Sequence, residues 1–112
     1  MHLVTAIIKP HRVEPVRVAM TDLGVNGMTI MEVQGFGRQR GHTETYRSAE
    51  YDINFLPKIR VDVVVSAEML QATLDALQEA ASTGSIGDGK AWVTDLGAVV
   101  RLRTGERDDE AL

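Results

Sequence analysis

The chain has 112 residues, a formal charge of −4, 44% apolar and 25% charged residues, and no cysteine. That length suits one domain with a single core, and the acidic balance argues against a general nucleic-acid binder. Without cysteine there are no disulfides or thiolate nucleophiles, and MHLVTAIIKPHR is too short to span a bilayer and has no signal-peptide cleavage pattern, so a cytoplasmic location is expected.

In chain order, Leu3 to Ile8 is short, apolar and partly β-branched, and Lys9-Pro10 stops it, as expected of a strand. Val13, Val16, Met20 and Leu23 then recur at helical spacing, opposite Arg12, Arg17 and Asp22. Pro15 is tolerated in a first turn, and Gly24 is placed to end the helix with a positive φ. Met28 to Gln34 reads as a second strand. A third is clearer, with Ile59, Val61, Val63 and Val65 alternating against Lys58, Arg60 and Asp62. Ser66 is a suitable N-cap for a second helix with the stripe Leu70, Leu74, Leu77 and Ala81. Ala91 to Asp95 reads as a fourth strand, and Val99 to Leu102 as a short apolar stretch before a charged tail.

Two β-α-β units in tandem describe an α+β, ferredoxin-like antiparallel sheet with both helices on one face. The other face is left uncovered. Val4 or Thr5, Ile30 and Val64 are expected to put apolar atoms there, and oligomerisation is the simplest way to cover them.

Three segments exceed what a core requires. The long loop at 36–57, between the second and third strands, is glycine-rich and carries Tyr46 and Tyr51; it is either a passive hairpin extension or a contact and modification surface. The segment 83–90 contains Gly84 to Lys90, the first seven positions of a P-loop, G-x-x-x-x-G-K. Its eighth position is Ala91 and not Ser or Thr, and it runs from helix to strand, the reverse of a P-loop. Its glycine amides and Lys90 can still converge on a phosphate; the alternative is a glycine C-cap and an ordinary turn. The third segment, 99–106, carries Arg101 and Arg103, which at strand spacing would point the same way and suit a polyanion, or else form a solvated face. His2, His11 and His42 have no short metal-ligand spacing.

Gly35-Phe36-Gly37-Arg38-Gln39-Arg40-Gly41-His42-Thr43-Glu44, Ala49-Glu50-Tyr51, Gly87-Asp88-Gly89-Lys90 and Val100-Arg101-Leu102-Arg103-Thr104-Gly105-Glu106 occur in one order along the chain. With these motifs the whole chain, 1–112, resembles the PII signal-transduction family of nitrogen and carbon regulators. The resemblance implies a non-catalytic homotrimer with three clefts between subunits, each binding ATP or ADP. It implies that Thr29, Gly37, Arg38, Val64, Gly87, Asp88, Gly89 and Lys90 line the nucleotide site, with Arg101 and Arg103 reaching the phosphates from the neighbouring subunit's cleft wall. Gln39 matches the residue that coordinates Mg2+ beside ATP and 2-oxoglutarate, Lys58 the partner of a 2-oxoglutarate carboxylate, and Gly37 and Gly87 belong to the same pocket. Tyr51 matches a tyrosine that a nucleotidyltransferase modifies in some members. The implied partners are an ammonium transporter, which would recruit the protein peripherally to the membrane, and enzymes or regulators of nitrogen assimilation. Ser48, Ser85 and Ala91 depart from the family's common residues, and Ser85 removes a positive charge beside the phosphate loop.

Two other functions meet obstacles. A weak NTPase using Gly84 to Lys90 lacks the hydroxyl at Ala91 and the P-loop topology. An RNA-binding domain of the same fold would stack bases on aromatic residues of its central strands, and Lys58 to Val65 has none.

Overall fold

A computed structural model describes residues 1–37 and 54–112. Among them are four strands and two helices, in the order β1 (His2–Ile8), α1 (Val13–Leu23), β2 (Thr29–Gly35), β3 (Leu56–Val65), α2 (Leu70–Ala81) and β4 (Lys90–Asp95). All strand pairs are antiparallel and the spatial order is β2-β3-β1-β4, the ferredoxin-like arrangement expected from the sequence.

The core follows from register. Val4 faces Val63 and Ala6 faces Val61, so the alternating apolar set of β1 and β3 lies on one side of the sheet. Val16 and Met20 of α1 and Leu77 and Ala81 of α2 close over it. Gly24 ends α1 at φ 94°, with its N–H directed to the last carbonyls and the Val25 N–H returning to Met20 O at 3.0 Å. At the other helix end, the Arg12 guanidinium donates to Ala80 O at 3.0 and 2.7 Å, satisfying a carbonyl in the last turn of α2.

Two local expectations are corrected. Ser66 makes no side-chain cap; it precedes a single 3-10 turn, Ala67–Met69, and α2 begins at Leu70. Thr73, absent from the expected stripe, is fully buried, its hydroxyl satisfied by Met69 O at 2.8 Å. The uncovered sheet face also differs. Ile30 pairs with Val61 and Val4 with Val63, so both side chains lie on the helix side; Ile30 stays exposed because β2 is an edge strand. The open face carries Thr5 and Val64 as expected, together with Ile7 and Trp92. Its centre is polar: the Thr5 hydroxyl donates to Asp62 Oδ1 at 2.6 Å and Arg60 Nε to Asp62 Oδ2 at 3.1 Å.

Candidate functional site

The loop from Ser82 to Gly89 joins α2 to β4 and is organised around one carboxylate. Asp88 accepts from the Thr83 hydroxyl at 2.5 Å, the Thr83 amide at 2.8 Å, the Gly84 amide at 3.0 Å and Lys9 Nζ at 3.1 Å. The Thr83 side-chain and main-chain donors, with Lys9 and the Gly84 amide, hold the Asp88 carboxyl well below the usual aspartate range. Lys9 Nζ also donates to the Thr83 hydroxyl oxygen at 3.0 Å. Gly84, Gly87 and Gly89 all have positive φ. At Gly89 the requirement is also steric, because a Cβ there would stand 1.8 Å from Ile7 O.

Lys58 enters the same region from β3. Its side chain is buried and its ammonium donates to Gly87 O at 2.6 Å. Lys9, Lys58 and Gly87 border a cleft of about 350 Å³ whose remaining wall is apolar, from Leu56, Pro57 and Ile86. Both ammonium groups are engaged in the resting loop, Lys9 with Asp88 and Lys58 with Gly87 O, beside this apolar wall.

A larger cleft of about 580 Å³ lies at the opposite end of β3. Thr29, Val64 and Asp62 line it, together with Arg101 and the C-terminal Leu112. Arg101 and Arg103 do not lie on an extended strand, so the spacing expected to point them the same way does not do so. Only Val100 bridges, to Arg107, and the chain then turns at Leu102–Thr104, leaving Leu102 92% exposed. The turn is set by Gly105 at φ 79° and by the Thr104 hydroxyl, which donates to Glu106 Oε1 at 2.8 Å. Arg101 is wrapped by its own segment: Nη2 donates to Leu112 O at 2.9 Å, Nε to Ala111 O at 3.3 Å and Nη1 to Glu106 Oε1 at 3.2 Å. Arg103 is exposed and makes no ion pair among the described residues.

The residues expected at one nucleotide site thus fall into two groups within a chain. Gly87 to Lys90 gather with Lys58 at one end of β3; Thr29, Val64 and Arg101 gather at the other. Gly37 lies just past β2, exposed, while Arg38, Gln39, Tyr46, Ser48 and Tyr51 lie outside the described residues. Sequence reading missed Lys9, which looked only like a strand terminator, and Asp62, which looked only like the polar side of an alternation. Among the described residues no group of three or more His, Asp or Glu could hold a metal, and no helix is long and apolar enough to cross a membrane.

The chain is thus an α+β, ferredoxin-like domain with one uncovered sheet face, a glycine loop between α2 and β4 and an arginine-bearing C-terminal segment. The family model described as nitrogen regulatory protein P-II matches residues 1–106. Over 112 residues, and all of both chains, this chain is 53% identical to the nitrogen regulatory protein GlnK of Escherichia coli K12. It is 49% identical over the same span to nitrogen regulatory protein P-II of Pasteurella multocida. Among solved structures, PII of Arabidopsis thaliana bound to citrate superposes with a TM-score of 0.82 and 32% identity, over 99% of this chain and 91% of that one. The chain belongs to the PII family of nitrogen regulatory proteins, and is a signalling regulator and not an enzyme.

Proposed function

We propose that this protein binds ATP or ADP in clefts between the subunits of a homotrimer and, with Mg2+-ATP, also binds 2-oxoglutarate. The observation that carries the reading is the division of the site. Lys58 and Val64 are six residues apart on β3, roughly 20 Å at the usual strand rise, so the two groups of ligand-directed residues sit at opposite ends of one chain. A neighbouring copy that brings its Thr29, Val64, Arg101 and Arg103 against this copy's Gly87 to Lys90 completes a pocket with base-lining and phosphate-binding walls. The open face with Ile7, Val64 and Trp92 supplies apolar surface for that association.

The carboxylate nearest the phosphate loop, Asp88, is already occupied by Thr83, Gly84 and Lys9. A Mg2+ ion would therefore be held by ligand oxygens and the Gln39 side chain, whose neutral oxygen suits a hard cation. Lys58 would exchange its bond to Gly87 O for a 2-oxoglutarate carboxylate. Partners, among them an ammonium transporter and nitrogen-assimilation enzymes or regulators, would be contacted through the long loop, with Tyr51 open to a nucleotidyltransferase.

Sedimentation and calorimetry together test this reading. The expected result is a trimer that binds ATP and ADP, and binds 2-oxoglutarate with ATP and Mg2+ but not with ATP and EDTA or with ADP and Mg2+. A clean monomer at micromolar concentration, or equal 2-oxoglutarate affinity in all three mixtures, contradicts it.

A further inference from the structure

The loop that precedes β4 already contains an anion. The Asp88 carboxylate takes the amides of Thr83 and Gly84, the positions where an incoming phosphate would otherwise compete for donors, and it is neutralised by Lys9 at 3.1 Å. Lys9 stands immediately after β1, and Ile7 O, two residues earlier, is the atom against which Gly89 is pressed. The end of β1 therefore touches both ends of the loop, while Lys58 holds its middle through Gly87 O.

We propose that Lys9 and Thr83 are positioning residues of the phosphate loop, acting through Asp88. The internal carboxylate fills the first two amides, so that the stretch from Gly87 to Lys90 is held in one shape for an external polyphosphate. The proposal rests on the reading of that loop as a nucleotide-phosphate site. An uncompensated Asp88 turned toward a triphosphate would repel it; engaged by Lys9 and three donors from Thr83 and Gly84, the same carboxylate organises the loop instead. The depressed titration of Asp88 agrees, since the donors favour its charged form. Ordering is complete before ligand arrives, which lowers the entropic cost of binding.

The test pairs calorimetry with ATP against amide hydrogen exchange without ligand, on the full-length wild type, Lys9→Met, Lys9→Arg, Asp88→Asn and the Lys9→Met/Asp88→Asn double variant. Lys9→Met is expected to weaken ATP about tenfold, the scale of one charge-assisted hydrogen bond, with Lys9→Arg within about threefold of wild type. Asp88→Asn is expected to weaken ATP and to speed exchange of the Thr83 and Gly84 amides by about tenfold or more. The double variant should be no weaker than the worse single one, because both act on one element. Tighter ATP binding by Asp88→Asn would mean that the carboxylate faces the phosphates. Additive losses would mean that Lys9 contacts the ligand itself, and unchanged exchange at Thr83 and Gly84 would mean that Asp88 does not order the loop. Any of these three overturns the proposal. Should wild type bind no ATP while exchange responds as described, the nucleotide reading fails and the organising role of Lys9 and Asp88 stands.

Discussion

At the Lys58 end of β3 the glycine loop is fixed from several sides, by Asp88 within it, by Ile7 of β1 and Lys9 just after it, and by the Lys58 ammonium on Gly87 O. At the Val64 end the basic segment is held mainly by Arg101, folded back on Ala111 O, Leu112 O and Glu106, with Asn26 and Asp108 adding single bonds. On the proposed reading the first region would meet a ligand with a loop already held in place, whereas in the second Arg101 would have to exchange its present partners for new ones. Pre-set amides favour affinity through low ordering cost, whereas an arginine bound to its own chain lets ligand binding be coupled to movement of that segment.

The sharpest way to break the contrast is at the glycines. Gly89 has φ 87° and no room for a Cβ, which would lie 1.8 Å from Ile7 O; Gly84 has φ 84° and open space around it. Gly89→Ala combines left-handed strain with a main-chain clash and is expected to cost roughly 2–5 kcal/mol, against about 1–2 kcal/mol for Gly84→Ala. Denaturant unfolding of the two variants measures the difference. Equal losses would mean that the loop can lift from β1, and the description of it as fixed would be wrong.

Next comes Lys58. Its buried ammonium donates to Gly87 O at 2.6 Å, and Lys58→Met keeps much of the stem while leaving that carbonyl without the donor. A hydrogen bond from a charged group supports an expected loss of about 1.5–3 kcal/mol, read by thermal or denaturant unfolding. Undiminished stability would show that Lys58 is held for ligand alone and lends nothing to the resting loop.

Legibility in the sequence divides along the same line. Strands and helices were readable because burial imposes periods of two and 3.6 residues, and Val61, Val63 and Val65 or Val16 and Met20 keep those periods in the folded chain. Gly24 was readable as a helix stop because few other residues tolerate φ 94°. Long-range polar pairings have no such period. Nothing local in Lys9-Pro10 points to Asp88, and nothing in Gly87-Asp88-Gly89 says whether the carboxylate turns inward. The spacing of Arg101 and Arg103 was misleading because it presumes an extended backbone, whereas Thr104 and Gly105 bend the chain; those two turn-forming residues were the available signal. Ser66 failed as a cap for a similar reason, with a 3-10 turn intervening before α2.

The pH response of the loop sharpens the comparison further. The folded-state pKa of Asp88 lies below its unfolded value, so its contribution to loop order is fully present above the ordinary aspartate value of about 3.9 and is lost as pH falls through the folded value. Carboxyl NMR shifts should therefore show Asp88 still ionised well below the ordinary aspartate value of about 3.9. Exchange protection at Thr83 and Gly84 should persist into the same acidic range and vanish in Asp88→Asn. Titration of Asp88 at the ordinary aspartate value would mean that its donors are not in place in solution.

The smallest effect on stability is expected at the other end of β3, and it is informative because it is small. Arg101 is partly exposed, and its ion pair with Glu106 at 3.2 Å is of the surface kind, worth about 0–1 kcal/mol. Its bonds to Ala111 O and Leu112 O hold a short segment that buries little, and Asn26 Nδ2 supports the same Leu112 O at 3.3 Å. Arg101→Ala should therefore leave the global unfolding midpoint almost unchanged while raising amide exchange in Asp109 to Leu112. Arg103→Ala, removing a side chain with no ion pair among the described residues, should change neither. Both variants should weaken ATP binding if the two guanidinium groups reach phosphates, and by unequal amounts. Arg101 must give up Ala111 O, Leu112 O and Glu106 before it can bind, so part of its interaction with the ligand is offset, whereas that of Arg103 is not. Arg103→Ala is therefore expected to cost the larger share of affinity, up to about tenfold more than Arg101→Ala at 1.4 kcal/mol per decade. The reverse order, with faster exchange at Asp109 to Leu112, would mean that Arg101 keeps its segment contacts in the bound state and that the C-terminal segment is part of the binding wall.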